Sequence, residues 1–363
     1  MTPLLEEIRQ TPLLWLLVLV PVALVAELFQ PEAHTLLFLL SVAAIVPLAA
    51  LLSRATESVA AKTGDLIGGL LNATLGNLTE LLIALAALRA GQYVLVKASI
   101  AGAIVTNSLF MLGASFLLGG LKYHVQEYNR DSARLQAGML FLATIAMLVP
   151  SLLAAIDNTP NAAFTHSLSV GLSVLLIVTY GLGLVFSLKT HRELFASQDH
   201  NTSDEEEWPM SLALATLAGV TILVALVSEV FVESVQQAAV TLGITPAFVG
   251  IVVVALVGGA AEMVSAFAAA RKNKLDLSVG IALGSAVQIA LFVAPVLVLF
   301  SYLIGPAPMD LQFWRGAVAM MLIASVTATF VTSTGRSAWF LGTLTLTVYV
   351  IFAITLYLLP PRT

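Results

Sequence analysis

The chain has 363 residues, a net charge of -5 and no cysteine; 59% of the residues are hydrophobic and 10% are charged. A soluble domain carries about 25% charged residues on its water-facing surface, so a soluble enzyme is excluded. The mild charge leaves no case for a nucleic-acid partner, and the missing cysteines exclude disulfides, thiolate metal sites and iron–sulfur clusters.

In chain order the apolar segments are 12–30, 34–53, 65–88, 93–119, 137–156, 165–188, 210–235, 246–270, 276–304, 313–333 and 337–358. Most match the about 20 residues that a membrane-spanning helix needs, whereas barrel strands alternate over about ten. The expected fold is an all-α polytopic membrane protein with about 11 transmembrane helices. The first segment is too long for a signal-peptide core and has no small-x-small cleavage site, so residues 1–32 are expected to stay as a leading helix. Pro31-Glu32 ends it, Arg130-Asp131 divides the fourth span from the fifth, and Arg271-Lys272-Asn273-Lys274 follows the eighth.

With this span count, 12 of the 16 Lys and Arg residues fall on one side: Arg9, Arg54, Lys62, Lys122, Arg130, Arg134, Lys189, Arg192, Arg271, Lys272, Lys274 and Arg336. Arg89, Lys97, Arg315 and Arg362 fall on the other. Positive residues favour the cytoplasmic side, which places the amino terminus inside and the carboxyl terminus outside. The one long polar connection, 189–209, carries Asp199, Asp204, Glu205, Glu206 and Glu207 and reads as an acidic cytoplasmic linker.

An offset of 182 residues lays Gly68-to-Phe110 onto Gly250-to-Phe292 without a gap. Gly68/Gly250, Gly76/Gly258, Glu80/Glu262, Arg89/Arg271 and Gly102/Gly284 coincide. The third span thus matches the eighth, five spans on, so the second copy enters the membrane upside down. The expected organisation is two inverted five-helix repeats, 33–188 and 210–363, behind the leading helix. Inverted repeats characterise secondary transporters, whose sites lie near the midplane where the repeats meet.

An ionisable residue deep in a span costs a few kcal/mol and marks function by default. Glu80 and Glu262 are the only two carboxylates near span centres, and they are repeat-equivalent. A neutral glutamic acid joining two helices would account for one such residue, but poorly for a matched pair. Small residues surround both: Ala73, Gly76, Ala84 and Ala87 about the first, Ala255, Gly258, Ala266 and Ala269 about the second. Their spacing lets the two helices cross closely at the glutamates. Gly76-Asn77 and Gly258-Gly259 weaken each helix one turn earlier, which frees backbone carbonyls as further oxygen ligands. On the following spans, Ser99, Gly102, Thr106 and Asn107, and Gly284, Ser285 and Gln288, are read as supporting polar groups or as interhelical hydrogen-bonding partners. Glu57 and Glu233, at the ends of the second and seventh spans, are candidate mouths of the pathway, against an ordinary helix-end role.

Carboxylates with carbonyls and water make a hard-oxygen site that suits Ca²⁺, with Mn²⁺ as the second fit. A carboxyl withdrawn from water favours its protonated form, and a divalent ion displaces those protons, so cation and proton compete. There is no P-loop and no room for a nucleotide-binding domain, so the energy source is an ion gradient. The partners are the lipid bilayer, Ca²⁺ and H⁺; no resident cofactor, nucleotide or nucleic acid is expected, and a homo-oligomer is compatible with the sequence.

Gly76-Asn77-Leu78-Thr79-Glu80 and Gly258-Gly259-Ala260-Ala261-Glu262 resemble the paired G-N-x-x-E motifs of the cation/proton exchangers, the Ca²⁺/H⁺ branch of the Ca²⁺/cation antiporter superfamily. Gly284-Ser285-Ala286-Val287-Gln288 and Gly68-Gly69-Leu70-Leu71-Asn72 are similar to that branch's repeat signatures. The resemblance covers nearly the whole chain. It implies that Glu80 and Glu262 bind cation or protons with help from Ser285 and Gln288, in a protein that exports Ca²⁺ across a bacterial inner membrane. Two positions depart from the pattern: Gly259 stands where Asn is usual, and Met263 where many members have His. Na⁺/Ca²⁺ exchangers usually carry proline just before the acidic residue; Thr79 and Ala261 here favour protons as the counter-ion. The rival readings are a Na⁺-coupled or Mn²⁺-preferring exchanger and, from another class, a glutamate-lined cation channel.

Overall fold

A computed structural model describes residues 3–156, 162–191 and 208–358. The acidic run Asp199 to Glu207 of the expected linker lies outside them. Helix α1 (Pro3–Gln10) precedes the leading span α2 (Pro12–Phe29), whose first turns are 3-10 wound behind Pro12. Then follow α3 (His34–Lys62), α4 (Asp65–Leu75), α5 (Leu78–Arg89), α6 (Tyr93–Tyr123), α7 (Arg130–Ile156) and α8 (Ala162–Val185). The remaining helices are α9 (Met210–Leu242), α10 (Pro246–Gly258), α11 (Ala260–Arg271), α12 (Leu275–Ile304), α13 (Arg315–Val331) and α14 (Trp339–Leu358). Among the described residues, 8 helices are long and apolar enough to cross a membrane, or up to 10 if each bent pair is one span. The expected tenth segment is α13, an apolar helix of 17 residues.

Helix α7 begins at Arg130, ahead of its apolar segment 137–156, so Arg130-Asp131 starts the helix rather than standing outside it; α3 and α9 outrun their segments at the far end. Residues 54–62 continue α3 because most of their polar groups find partners: Thr56 and Ser58 donate to carbonyls one turn back, Ser53 donates to Glu57, and Arg54 pairs with Glu7 of α1. Polarity alone does not stop a helix whose side chains reach such partners or water. Helix α9 likewise passes residue 235 and stops at Gly243, whose φ of 67° is a left-handed C-cap conformation that favours glycine.

The glycine pairs break their spans as the sequence suggests. Helices α4 and α5 meet at 42° across Gly76-Asn77, and α10 and α11 at 61° across Gly259. Glycine costs a helix interior about 1 kcal/mol relative to alanine, so these are the weak points of the two spans. The helices that follow, α6 and α12, each contain a π-wound stretch, Thr106–Met111 and Ile289–Val293, at nearly matched positions. Such a stretch inserts an extra residue into a turn and re-aims the side chains after it.

The surface is apolar where lipid would lie, with Leu28, Val178, Leu182, Phe330 and Leu358 exposed. Hydroxyls and amides instead line the interior, among them Ser41, Thr106, Asn107, Ser115, Ser228 and Ser285. The most extensive helix pair is α3 with α9, and α6 packs on α14 and on α10. At one end of the bundle, β1 (Val125–Glu127) and β2 (Arg336–Ala338) form an antiparallel pair that the apolar pattern does not foretell. Close to it, Lys122 and Tyr123 donate to the Arg271 carbonyl. At the opposite end, Lys97 pairs with Asp310 at 2.5 Å. The connection 305–314 is fastened there from below, with Met309, Leu311 and Phe313 donating backbone N–H groups to the buried hydroxyls of Ser301, Ser169 and Ser151.

Candidate cation site

Glu80 lies in the first turn of α5 and Glu262 in the first turn of α11. Each break therefore places its carboxyl at a helix N-terminus, where unpaired N–H groups and the helix dipole favour negative charge. The two broken spans cross at these points. A Cβ added at Gly258 would sit 3.0 Å from Glu80 Cγ, and one at Gly76 would sit 3.3 Å from Gln288 Oε1. The glycines thus permit the close crossing that their spacing implies.

A string of hydrogen bonds joins the two halves at the crossing. Asn107 Nδ2 donates to Ser285 Oγ at 2.7 Å, and Ser285 Oγ donates to Asn77 Oδ1 at 2.8 Å. Asn77 occupies the N-cap position of α5 but makes no capping hydrogen bond with its side chain. Around this string, Glu262 Oε2, Gln288 Nε2, Asn77 Nδ2 and Asn107 Oδ1 are buried without a hydrogen-bond partner. Buried polar atoms are normally paired, so four unpaired ones at a single crossing describe a site shaped for a polar guest. Among the described residues no three His, Cys, Asp or Glu side chains cluster as a metal site. A divalent ion would therefore draw on the two carboxylates together with amide, hydroxyl and carbonyl oxygens and water, a hard donor set.

The two glutamates face different spaces. Glu262 borders a cavity of about 480 Å³, shared with Glu57, Asn72, Gln136, Tyr180, Asp276 and Gln288 among others. Glu80 borders a separate void of about 10 Å³ with Ser99, Ala103 and Val254. The matched glycines of α6 and α12 differ in the same sense. A Cβ at Gly102 would fall 2.4 Å from Ile251 Cα, so α6 is pressed onto α10, whereas one at Gly284 would meet only Gln136 Oε1 at 3.7 Å.

The remaining expected residues divide. Thr106 is turned to α10, its hydroxyl 3.5 Å from the Ile251 carbonyl, rather than to a glutamate. Glu57 lines the large cavity; Glu233 is exposed on α9, near Glu27 and Glu229, and lines none of the cavities named here. At the departure from the motif, a Cβ at Gly259 would lie 3.4 Å from Met263 Cε and 3.5 Å from Asn107 Oδ1. Met263 and Asn107 thus border the space that an asparagine side chain there would need. The sequence reading missed Tyr180 and Gln136. A single tyrosine in an apolar span carries no periodic signal, and Gln136 falls one residue outside the expected fifth span.

Residues 33–189 and 212–358 match the sodium/calcium exchanger protein family. The Ca²⁺/H⁺ antiporter of Aphanothece halophytica is 37% identical, over 97% of this chain and 98% of its own length. The Ca²⁺/H⁺ antiporter ChaA of Bacillus subtilis is 40% identical, over 94% of this chain and 97% of its own. The solved structure of native YfkE superimposes with a TM-score of 0.82 at 36% identity, covering 95% of this chain and all of that one. An H⁺/Ca²⁺ exchanger CAX structure shares the fold with a TM-score of 0.73 at 18% identity, over 96% of this chain and 88% of that one. By these matches the chain belongs to the sodium/calcium exchanger protein family, a family of membrane transporters rather than enzymes.

Proposed function

We propose that this protein is a Ca²⁺/H⁺ antiporter in which Glu80 and Glu262 bind either the cation or protons at the crossing of two broken helices. The observation that carries the reading is that two matched carboxyls border unlike spaces: Glu262 a cavity of about 480 Å³, Glu80 a void of about 10 Å³. Two inverted halves holding one site produce this pattern when a passage to one side is open and its counterpart is closed. The family match over two segments, 33–189 and 212–358, agrees with halves of 33–188 and 210–363 behind a leading helix. Relatives support the pair of ions chosen: bacterial chains named Ca²⁺/H⁺ antiporters and a plant vacuolar cation/proton exchanger align along nearly the whole chain.

The chemistry follows from competition. A carboxyl out of water is held neutral by a proton or paired with a cation, and an uncompensated charge there is costly. Ca²⁺ entering the cavity meets Glu262 and displaces protons; reversal of the open and closed sides then presents the ion to the opposite face. Asn77, Ser285 and Asn107 orient the crossing, Gln288 offers an amide beside Gly76, and Gly76, Gly258 and Gly259 keep the backbones close. Thr106 ties α6 to α10 on the closed side. Glu57 gathers cations at the open mouth, and Glu233 does so at the other face when that side opens. The charge distribution makes the open side cytoplasmic, with eleven crossings, the amino terminus inside, and Ca²⁺ moving outward across a bacterial inner membrane.

The test is Ca²⁺-driven proton release in sealed vesicles containing the purified chain, repeated with Na⁺ or Mn²⁺ in the trans solution. Ca²⁺ flux that carries no proton countercurrent, or that follows Na⁺ instead, would contradict the proposal.

A further inference from the structure

We propose that Tyr180 and Tyr349 are a matched pair of positioning residues, each of which holds the carbonyl ahead of one helix break in only one of two alternating conformations. The inference rests on the inverted-repeat reading above and assigns to it two residues that neither the sequence motifs nor the family match singles out.

Tyr180 lies on α8, the last helix of the first half, and Tyr349 on α14, the last helix of the second. Both are buried, at 7% and 6% exposure. Tyr180 stacks on Phe292, ring centroids 5.6 Å apart, and Tyr349 packs on Phe110 at 5.2 Å. Phe110 and Phe292 are themselves partners under the 182-residue offset. Each tyrosine thus rests on the matched phenylalanine of the opposite half.

Their hydroxyls differ. Tyr180 donates to the Ala73 carbonyl at 2.6 Å, at the end of α4 just before the break at Gly76-Asn77. The matched carbonyl in the second half belongs to Ala255, which accepts instead from the Gly259 N–H of its own chain turn at 3.1 Å. The Tyr349 hydroxyl has no hydrogen-bond partner, although Thr106 lies in its neighbourhood. One carbonyl is therefore held out of its helix by a tyrosine while the other is held inside by its own backbone. The held carbonyl sits on the side of the open cavity, which Tyr180 also lines.

A buried hydroxyl without a partner is a cost that a conformational change can remove. In the opposite conformation the roles exchange: Tyr349 donates to Ala255, and Ala73 returns to the Asn77 N–H. Each end state thus pairs one hydroxyl and leaves the other unpaired, so removing either hydroxyl tips the balance towards the state in which it was unpaired.

The chain has no cysteine of its own, so single reporters are simple to introduce. Ser132→Cys reports the open cavity, and Ser99→Cys reports the closed void beside Glu80. The readout is the maleimide labelling rate of the first reporter divided by that of the second, in the detergent-solubilised full chain without Ca²⁺. Tyr180→Phe is expected to lower this open-to-closed ratio about fivefold, the effect of one net hydrogen bond. Tyr349→Phe is expected to raise it by a similar factor, and the double substitution to return it towards the starting value. Should either variant fail to fold, Phe292→Leu and Phe110→Leu, which loosen the ring under each tyrosine, replace it with the same opposed signs. Shifts of the same sign, or none, overturn the proposal. Labelling needs no ion gradient, so a failed exchange assay beside opposed shifts would remove the antiport reading alone.

Discussion

Glu80 and Glu262 each carry a carboxyl into a place where only a proton or a cation can neutralise it. An amide of the same shape has neither option. Glu80→Gln and Glu262→Gln are each expected to abolish Ca²⁺/H⁺ exchange while the protein still inserts and purifies as a folded chain; substantial flux in either removes that residue from the mechanism. Ser285 acts differently, by joining Asn107 to Asn77. Ser285→Ala leaves two buried amides short of a partner, at about 1–3 kcal/mol each. The expectation is apparent Ca²⁺ affinity weakened by about tenfold or more, with a smaller effect on maximal rate. At the cavity mouth, Glu57→Gln should weaken Ca²⁺ activation from the open side alone, and the effect should fade as salt shortens the Debye length below about 8 Å. Equal changes from both faces return Glu57 to an ordinary helix position. The glutamates, the glycines and Ser285 were legible in the sequence because a carboxylate or glycine inside an apolar span is costly and the offset doubles the signal. Tyr180 and Tyr349 were not, because their meaning comes from Phe292, Phe110 and Ala73, which are distant in sequence.

The broken spans show how glycine, helix ends and packing combine at the level of elements. The breaks at Gly76-Asn77 and Gly259 were readable from composition, but their 42° and 61° bends depend on the neighbours that hold them. The ends of α3 and α9 were misplaced for the opposite reason, since residues such as Arg54 and Glu57 look like loop yet continue a helix in which Arg54 pairs with Glu7 and Ser53 donates to Glu57. The strands β1 and β2 are three residues each, too short for any alternation to be seen. The contact between α6 and α10 supplies a contrast. Gly102→Ala forces a Cβ against Ile251 Cα, and overpacking of this kind costs about 1–3 kcal/mol. It should lower the melting temperature of the purified chain. Gly284→Ala makes only an ordinary contact with Gln136 Oε1 in this conformation and should leave the melting temperature nearly unchanged. It should nevertheless slow exchange, because the matched surface must close when the other side opens. Equal behaviour of the two variants in both assays would show that the glycines are not exchanged partners.

At the scale of the whole molecule, one end is fastened and the other is open. The connection 305–314, tied to Ser151, Ser169 and Ser301 and closed by Lys97–Asp310, seals the end remote from the large cavity. Lys97 and Asp310 are 17% and 24% exposed, so Lys97→Met leaves a largely buried carboxylate and should cost about 1.5–3 kcal/mol, seen as a lower melting temperature that Asp310→Asn partly restores. The proposed organisation into halves rests on an offset that matches Gly68, Gly76, Gly102, Glu80 and Arg89 to their partners without a gap. Which side is open was not legible, because the matched segments of the two halves adopt different packing. The central claim is obligatory exchange of Ca²⁺ for H⁺ through the crossing of the two broken helices. Its most direct test is simultaneous recording of Ca²⁺ and proton movement in sealed vesicles, with the native chain and with Glu262→Gln side by side. The account predicts opposite, stoichiometrically linked fluxes in the native chain and neither flux in the variant; Ca²⁺ movement without protons in the native chain, or unchanged exchange in Glu262→Gln, would contradict it.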